Sequence, residues 1–149
     1  MGNTILGANS DTGAYEISNS AMFFGEGYMT RTTGSPTNAK KATISFWIRR
    51  ACAIDSNQTV ISYDSGGSVQ TYLRFANSSN NVQLFNDTAG ETDTSIITHA
   101  AVEDVAAWYH CVIKWDSTQG TSSNRVKVYL NGFEQDLSTS NYPPQNTDF

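Results

Sequence analysis

Charge is the first thing in short supply. Only 15% of the 149 residues are Asp, Glu, Lys or Arg, with nine cations against 14 anions. A formal net charge of −5 repels a phosphate backbone, and no run of Lys and Arg marks out a face, so nucleic acid is not an expected partner. The only basic doublets, Lys40-Lys41 and Arg49-Arg50, bracket a predicted strand, where solvated cations guard sheet edges. Long apolar runs are also missing. No window approaches the ~18 apolar residues that span a bilayer. The first residues lack the charged-then-apolar layout of a secretory signal, and Leu6 stands where a myristoylation signal would need Ser or Thr, so no membrane insertion is expected. Cys52 and Cys111 are too few for a disulfide framework and show no metal-ligand spacing; free thiols are expected, with a single pairing left open. Asn57, Asn77 and Asn86 each begin an N-x-S/T triplet, which a chain so rich in Asn, Ser and Thr forms by chance.

What is present is a turn-rich β composition: abundant Ser, Thr, Asn and Gly, with three Trp, seven Tyr and seven Phe. Residues 1–20 hold few large apolar side chains and read as a loosely ordered arm. From Ala21 onward, short β-branched and aromatic runs alternate with Gly, Asn, Ser and Asp clusters, which favours a sandwich or barrel. Strands are predicted at Ala21–Phe24, Tyr28–Arg31, Thr43–Arg50, Thr59–Tyr63, Thr71–Ala76, Val82–Phe85, Ser95–Thr98, Trp108–Asp116, Val126–Leu130 and Phe133–Asp136, with a helical turn at Val102–Ala107. In Thr43–Arg50, Ile44, Phe46 and Ile48 share one face, and Ser45, Trp47 and Arg49 the other. The expected core is Ile44, Phe46, Ile48, Val112, Val126 and Val128, with Trp47 and Trp115 largely buried. Asn131-Gly132 between two apolar runs predicts a type I′ hairpin, because both residues tolerate positive φ. Residues 138–149, with Pro143-Pro144, read as an extended exit segment after a sandwich over 21–137.

Chemistry is harder to find. Glu103, Asp104, Glu134 and Asp136 do not form the paired carboxylates of a strand-borne glycosidase site. His99 and His110 have no nucleophile motif beside them, and Trp108, Tyr109 and Cys111 around His110 read as packing. No catalytic residue, metal centre or cofactor is therefore assigned. Calcium is the one ion kept in view, since Asp55, Asp64, Asp87, Asp93 and Asp116 all fall in predicted turns, with Asp64 and Asp87 the first candidates. For sugar binding the candidates are Tyr63, Tyr72 and Tyr142 beside Asn86 and Asp87. The ligand-binding set is thus Tyr63, Asp64, Asn86, Asp87 and Tyr142.

Residues Trp108-Tyr109-His110-Cys111-Val112-Ile113-Lys114-Trp115-Asp116, followed by Val126-Lys127-Val128-Tyr129-Leu130-Asn131-Gly132, resemble the core hairpin of laminin-G-like domains. Thr43-Ile44-Ser45-Phe46-Trp47-Ile48 resembles an earlier strand of the same fold. The fold this implies is an all-β antiparallel sandwich, a jelly roll of the concanavalin A-like, laminin-G-like type. Almost the whole chain is similar to a group of bacteriophage proteins, many from marine phages. This likeness rests on Tyr28-Met29-Thr30-Arg31-Thr32, Ser122-Ser123-Asn124-Arg125 and Asn141-Tyr142-Pro143-Pro144-Gln145-Asn146-Thr147-Asp148, among others. The resemblance implies a non-catalytic virion protein, assembled in the host cytoplasm, such as a tail fibre or tail-associated adhesin. Its expected contacts are host-surface glycan and other virion subunits, as a homo-oligomer. A capsid or head decoration with no ligand is the alternative, and a polysaccharide-degrading enzyme comes third. Members of that group run further before the sandwich closes, so either the chain continues in a longer protein or another subunit is expected to pair with Ala21–Phe24 or the residues after Phe133.

Overall fold

Alternation along the chain is realised as strands whose apolar residues meet between two sheets. The computed structural model describes residues 21–23, 27–32, 34–50, 56–64, 70–76, 79–87 and 93–149. The chain divides into two units, 1–35 and 36–149. In the first, residues 21–23 and 27–32 have no regular structure and take part in no strand pairing. The strands predicted at Ala21–Phe24 (Phe24 itself lies outside the described residues) and Tyr28–Arg31 are therefore corrected: β-prone residues without a register partner do not form a ladder.

In the second unit the described strands are β1 (Lys41–Ile48), β2 (Gln58–Asp64), β3 (Gln70–Phe75), β4 (Asn81–Asn86), β5 (Thr94–Ala101), β6 (Tyr109–Asp116), β7 (Val126–Leu130), β8 (Phe133–Glu134) and β9 (Leu137–Asn141), with a short 3₁₀ turn at Ser122–Asn124. They form two antiparallel sheets, ordered β1-β6-β7-β8 and β2-β3-β4-β5-β9. The all-β sandwich expected from the sequence is present. Leu73, Phe75, Val82, Leu84 and Ile96 from the five-stranded sheet meet Cys111, Ile113, Trp115, Val126, Val128 and Leu130 from the four-stranded one in a single buried cluster. Ala42, Ile44, Phe46 and Ile48 flank it. At Asn131 and Gly132 φ is 51° and 85°, the positive pair that the β7–β8 hairpin demands.

Several expectations change. Residues 138–149 are not a mere exit segment: β9 pairs with β5, Ser95 opposite Asn141, because the two prolines begin only at Pro143, beyond the strand. The residues after Phe133 pair within the chain, β8 on β7 and β9 on β5, each as the last strand of its sheet. Trp47 is half exposed and Val112 only half buried, since both lie opposite the core-facing sets Ile44/Phe46/Ile48 and Cys111/Ile113/Trp115. Arg50 is buried rather than solvated: its guanidinium donates to the Val102 carbonyl and lies over the Phe75 ring. Residues 102–107, expected as a helical turn, turn at 105–106, with the Ala106 amide donating to Asp104 Oδ1.

Candidate functional site

Antiparallel register gathers residues far apart in sequence at one end of the five-stranded sheet. Asp64 faces Gln70 and Tyr63 faces Thr71 across β2–β3. Thr71 faces Asn86 across β3–β4, and Asn86 faces Thr94 across β4–β5. With Ser95 opposite Asn141, the row runs from β2 to β9, about 19 Å for five strands at ~4.8 Å spacing. All five predicted ligand residues, Tyr63, Asp64, Asn86, Asp87 and Tyr142, thus come to the same rim.

They do not all present themselves there. Tyr63, on edge strand β2, is 61% exposed. Asn86 is buried, and its Nδ2 donates to Thr71 Oγ1 at 2.9 Å, so its amide braces β3 against β4. Tyr142 is half buried against the core. Tyr72 faces away from the core and stacks on Phe85, with the Arg74 guanidinium 4.4 Å from its ring centroid. Asp87 is fixed by its backbone amide, which donates to the Gln70 carbonyl at 2.9 Å. Its carboxyl is pushed above the usual range, first by desolvation and then by the charge of Asp93 and a hydrogen bond between the two carboxyls. Gln70, Asp93 and Asn141 are exposed on the same rim.

The calcium expectation narrows accordingly. Asp55 lies outside the described residues, and Asp116 sits on the other sheet. There Thr118, Gln119 and Lys41 hold its carboxylate, down to a pKa of about 2. Among the described residues no group of three or more His, Cys, Asp or Glu side chains could hold a metal ion. Cys111 is free and buried, its thiol pushed up to about 12 by burial; Cys52 lies outside the described residues. Sequence reasoning passed over one cluster, on the outer face of the four-stranded sheet. His110 stacks on Trp47 with ring centroids 5.0 Å apart, and its Nε2 is 3.0 Å from Ser45 Oγ. Strand alternation was the available signal, since it already set Ser45, Trp47 and Arg49 on one face.

Known proteins bear on both sheets together. The model of the concanavalin A-like lectin/glucanases superfamily matches residues 24–149. The chain belongs to this superfamily. The match reaches from the described part of the first unit through β9, so both sheets of this concanavalin A-like domain fall inside it. No curated protein and no solved structure matches the chain.

Proposed function

We propose that this concanavalin A-like chain is a non-catalytic adhesion module of a bacteriophage virion, in a tail fibre or tail-associated protein, which contacts host-surface glycan through the rim of its five-stranded sheet. The observation that carries this reading is the rim itself, where the register gathers exposed Tyr63, Gln70, Asp93 and Asn141 and half-buried Asp87 at the strand ends. An exposed ring supplies a stacking face, and the amides and carboxyls supply partners for hydroxyls. Glu103, Asp104, Glu134 and Asp136 do not form the paired carboxylates of a strand-borne glycosidase site, which supports binding over hydrolysis. The virion setting, with assembly in the host cytoplasm, is supported by the likeness of Asn141-Tyr142-Pro143-Pro144 and its companion segments to phage proteins. The test is a glycan array of bacterial surface polysaccharides probed with the whole chain, Tyr63→Ala and Asp87→Asn. Retention by a glycan subset, weakened at least tenfold in both variants, supports the reading; retention indifferent to both removes the rim from it.

A specific observation also favours an architectural role between subunits. Met22, Phe23, Tyr28 and Met29 are 50–80% exposed, an apolar set that a neighbouring copy would cover.

A further inference from the structure

Strand alternation aims a second set of side chains away from the core, on the outer face of the four-stranded sheet. Along β1 these are Lys41, Thr43, Ser45 and Trp47, and along β6 His110, Val112 and Lys114. Register puts Trp47 opposite His110 and Thr43 opposite Lys114. The indole is half exposed and is held on one face by the stacked imidazole, which Ser45 Oγ in turn meets at 3.0 Å. A half-exposed Trp108 stands nearby under the Arg49 guanidinium, 5.7 Å from its ring. Where β1 begins, a shallow depression of about 220 Å³ is lined by Lys41, Thr43, Lys114 and Asp116, with Ala42 and Trp115 between them.

The charge on this face runs against that of the chain. It holds four cations, Lys41, Arg49, Lys114 and Lys127, against two carboxylates, Asp116 and Glu134, in a protein of net charge −5. Lys114 stands directly opposite Lys127 on β7, an arrangement that destabilises a sheet. Glu134 relieves only Lys127, at 2.6 Å, and Lys41 leans on Asp116 at 3.4 Å. Lys114 is left exposed, and no ion pair engages it among the described residues. An aromatic ring, a shallow depression and an uncompensated ammonium follow one another along β1 and β6. From Trp47 to Lys41 is six residues, about 20 Å at ~3.3 Å per residue, the reach of a short oligosaccharide.

We infer that the outer face of the four-stranded sheet is a second binding surface, for an acidic oligosaccharide. One sugar stacks on Trp47, and a carboxylate or sulfate further along sits at Lys114 over the depression. The indole face carries negative potential that receives sugar C–H groups, and the ammonium provides a charge-assisted contact that a neutral glycan cannot use. This surface adds to the rim described above, and the two stand or fall separately because they share no residue.

Tryptophan fluorescence titrations of the whole chain test it with three probes: tetragalacturonate, a sulfated heparin-derived tetrasaccharide and neutral cellotetraose. The expected result is saturable quenching by one or both acidic probes, at least tenfold stronger than by cellotetraose. Which acidic probe binds tells carboxylate from sulfate. Lys114→Glu should weaken that binding at least tenfold and Trp47→Ala should abolish the quenching, while Ser138→Ala, at an exposed position of β9 on the other sheet, leaves both unchanged. Cooperative melting of each variant confirms its fold, and Lys114→Gln provides a milder replacement with a smaller loss. Any of three results overturns the inference: equal binding of neutral and acidic tetrasaccharides, no binding of either acidic probe, or a concentration-dependent dimer that Trp47→Ala dissociates, which would make the face a contact between copies.

Discussion

Asp116 shows how one side chain ties a loop to a strand end and writes a pH dependence into the fold. Its carboxylate accepts from Thr118 Oγ1 at 2.5 Å and Gln119 Nε2 at 2.8 Å, and Lys41 Nζ lies 3.4 Å away. These contacts lower its pKa from 3.8 to about 2 in the folded state. A depressed folded pKa contributes stability that is present above the ordinary value and disappears as pH falls through the folded one. The melting temperature should therefore drop between pH ~4 and ~2, and Asp116→Asn should flatten that part of the curve relative to wild type. Asp87 has the opposite sign. With its pKa raised by desolvation and by Asp93, it weakens the fold once ionised, so Asp87→Asn should melt higher than wild type at neutral pH, the gap closing as the solution is acidified. Cys111 is the inert case. Its thiol is buried and its pKa is about 12, so in a Cys52→Ser background the native protein should resist a disulfide reagent at pH 8 and react at once in denaturant.

At the scale of the strand, the β7–β8 hairpin isolates backbone conformation from packing. Gly132 has φ of 85°, and a Cβ placed there would meet nothing within 4 Å. Gly132→Ala should therefore cost about 1 kcal/mol through backbone strain alone, measurable by urea unfolding. The hairpin was legible because Asn-Gly is a local signal. So were β2 to β7, each a short β-prone run broken by turn residues. What the sequence could not reveal is partnership. Residues 21–31 contain Met22, Phe23, Tyr28 and Met29 and look like strands, yet no described strand pairs with them; Leu137-Ser138-Thr139-Ser140-Asn141 carries one large apolar residue and is a strand because β5 offers it a ladder. Val112 and Trp47 failed for another reason. Apolar character suggested burial, but parity within β6 and β1 sends both outward. The rim was half legible: residue type picked out Tyr63, Asn86, Asp87 and Tyr142, and register brought them together. That Asn86 would be spent on Thr71, and Tyr142 on the core, depends on depth, which no single strand encodes.

Over the whole molecule, the same division of labour governs assembly. The apolar residues of the first unit, exposed in one chain, predict a homo-oligomer: sedimentation of the full chain should show association that Ser at Met22, Phe23, Tyr28 and Met29 abolishes, with the sandwich still melting cooperatively. The second unit carries its own core and both sheets, and its first and last stretches are clasped together. The Phe149 amide donates to the Ala39 carbonyl at 2.8 Å, Lys40 Nζ pairs with Asp148 at 3.0 Å, and the Phe149 ring meets Trp115 edge-on. Mechanically this is a clasp in parallel with the sandwich. A pull between residues 39 and 149 loads that handful of contacts first, one after another. Tension across the domain would open the clasp while β6 and β7 still held their register, giving a yielding step well below the force that ruptures the domain. In a single-molecule pulling trace, Lys40→Ala should lower that first step and leave the main rupture where it was.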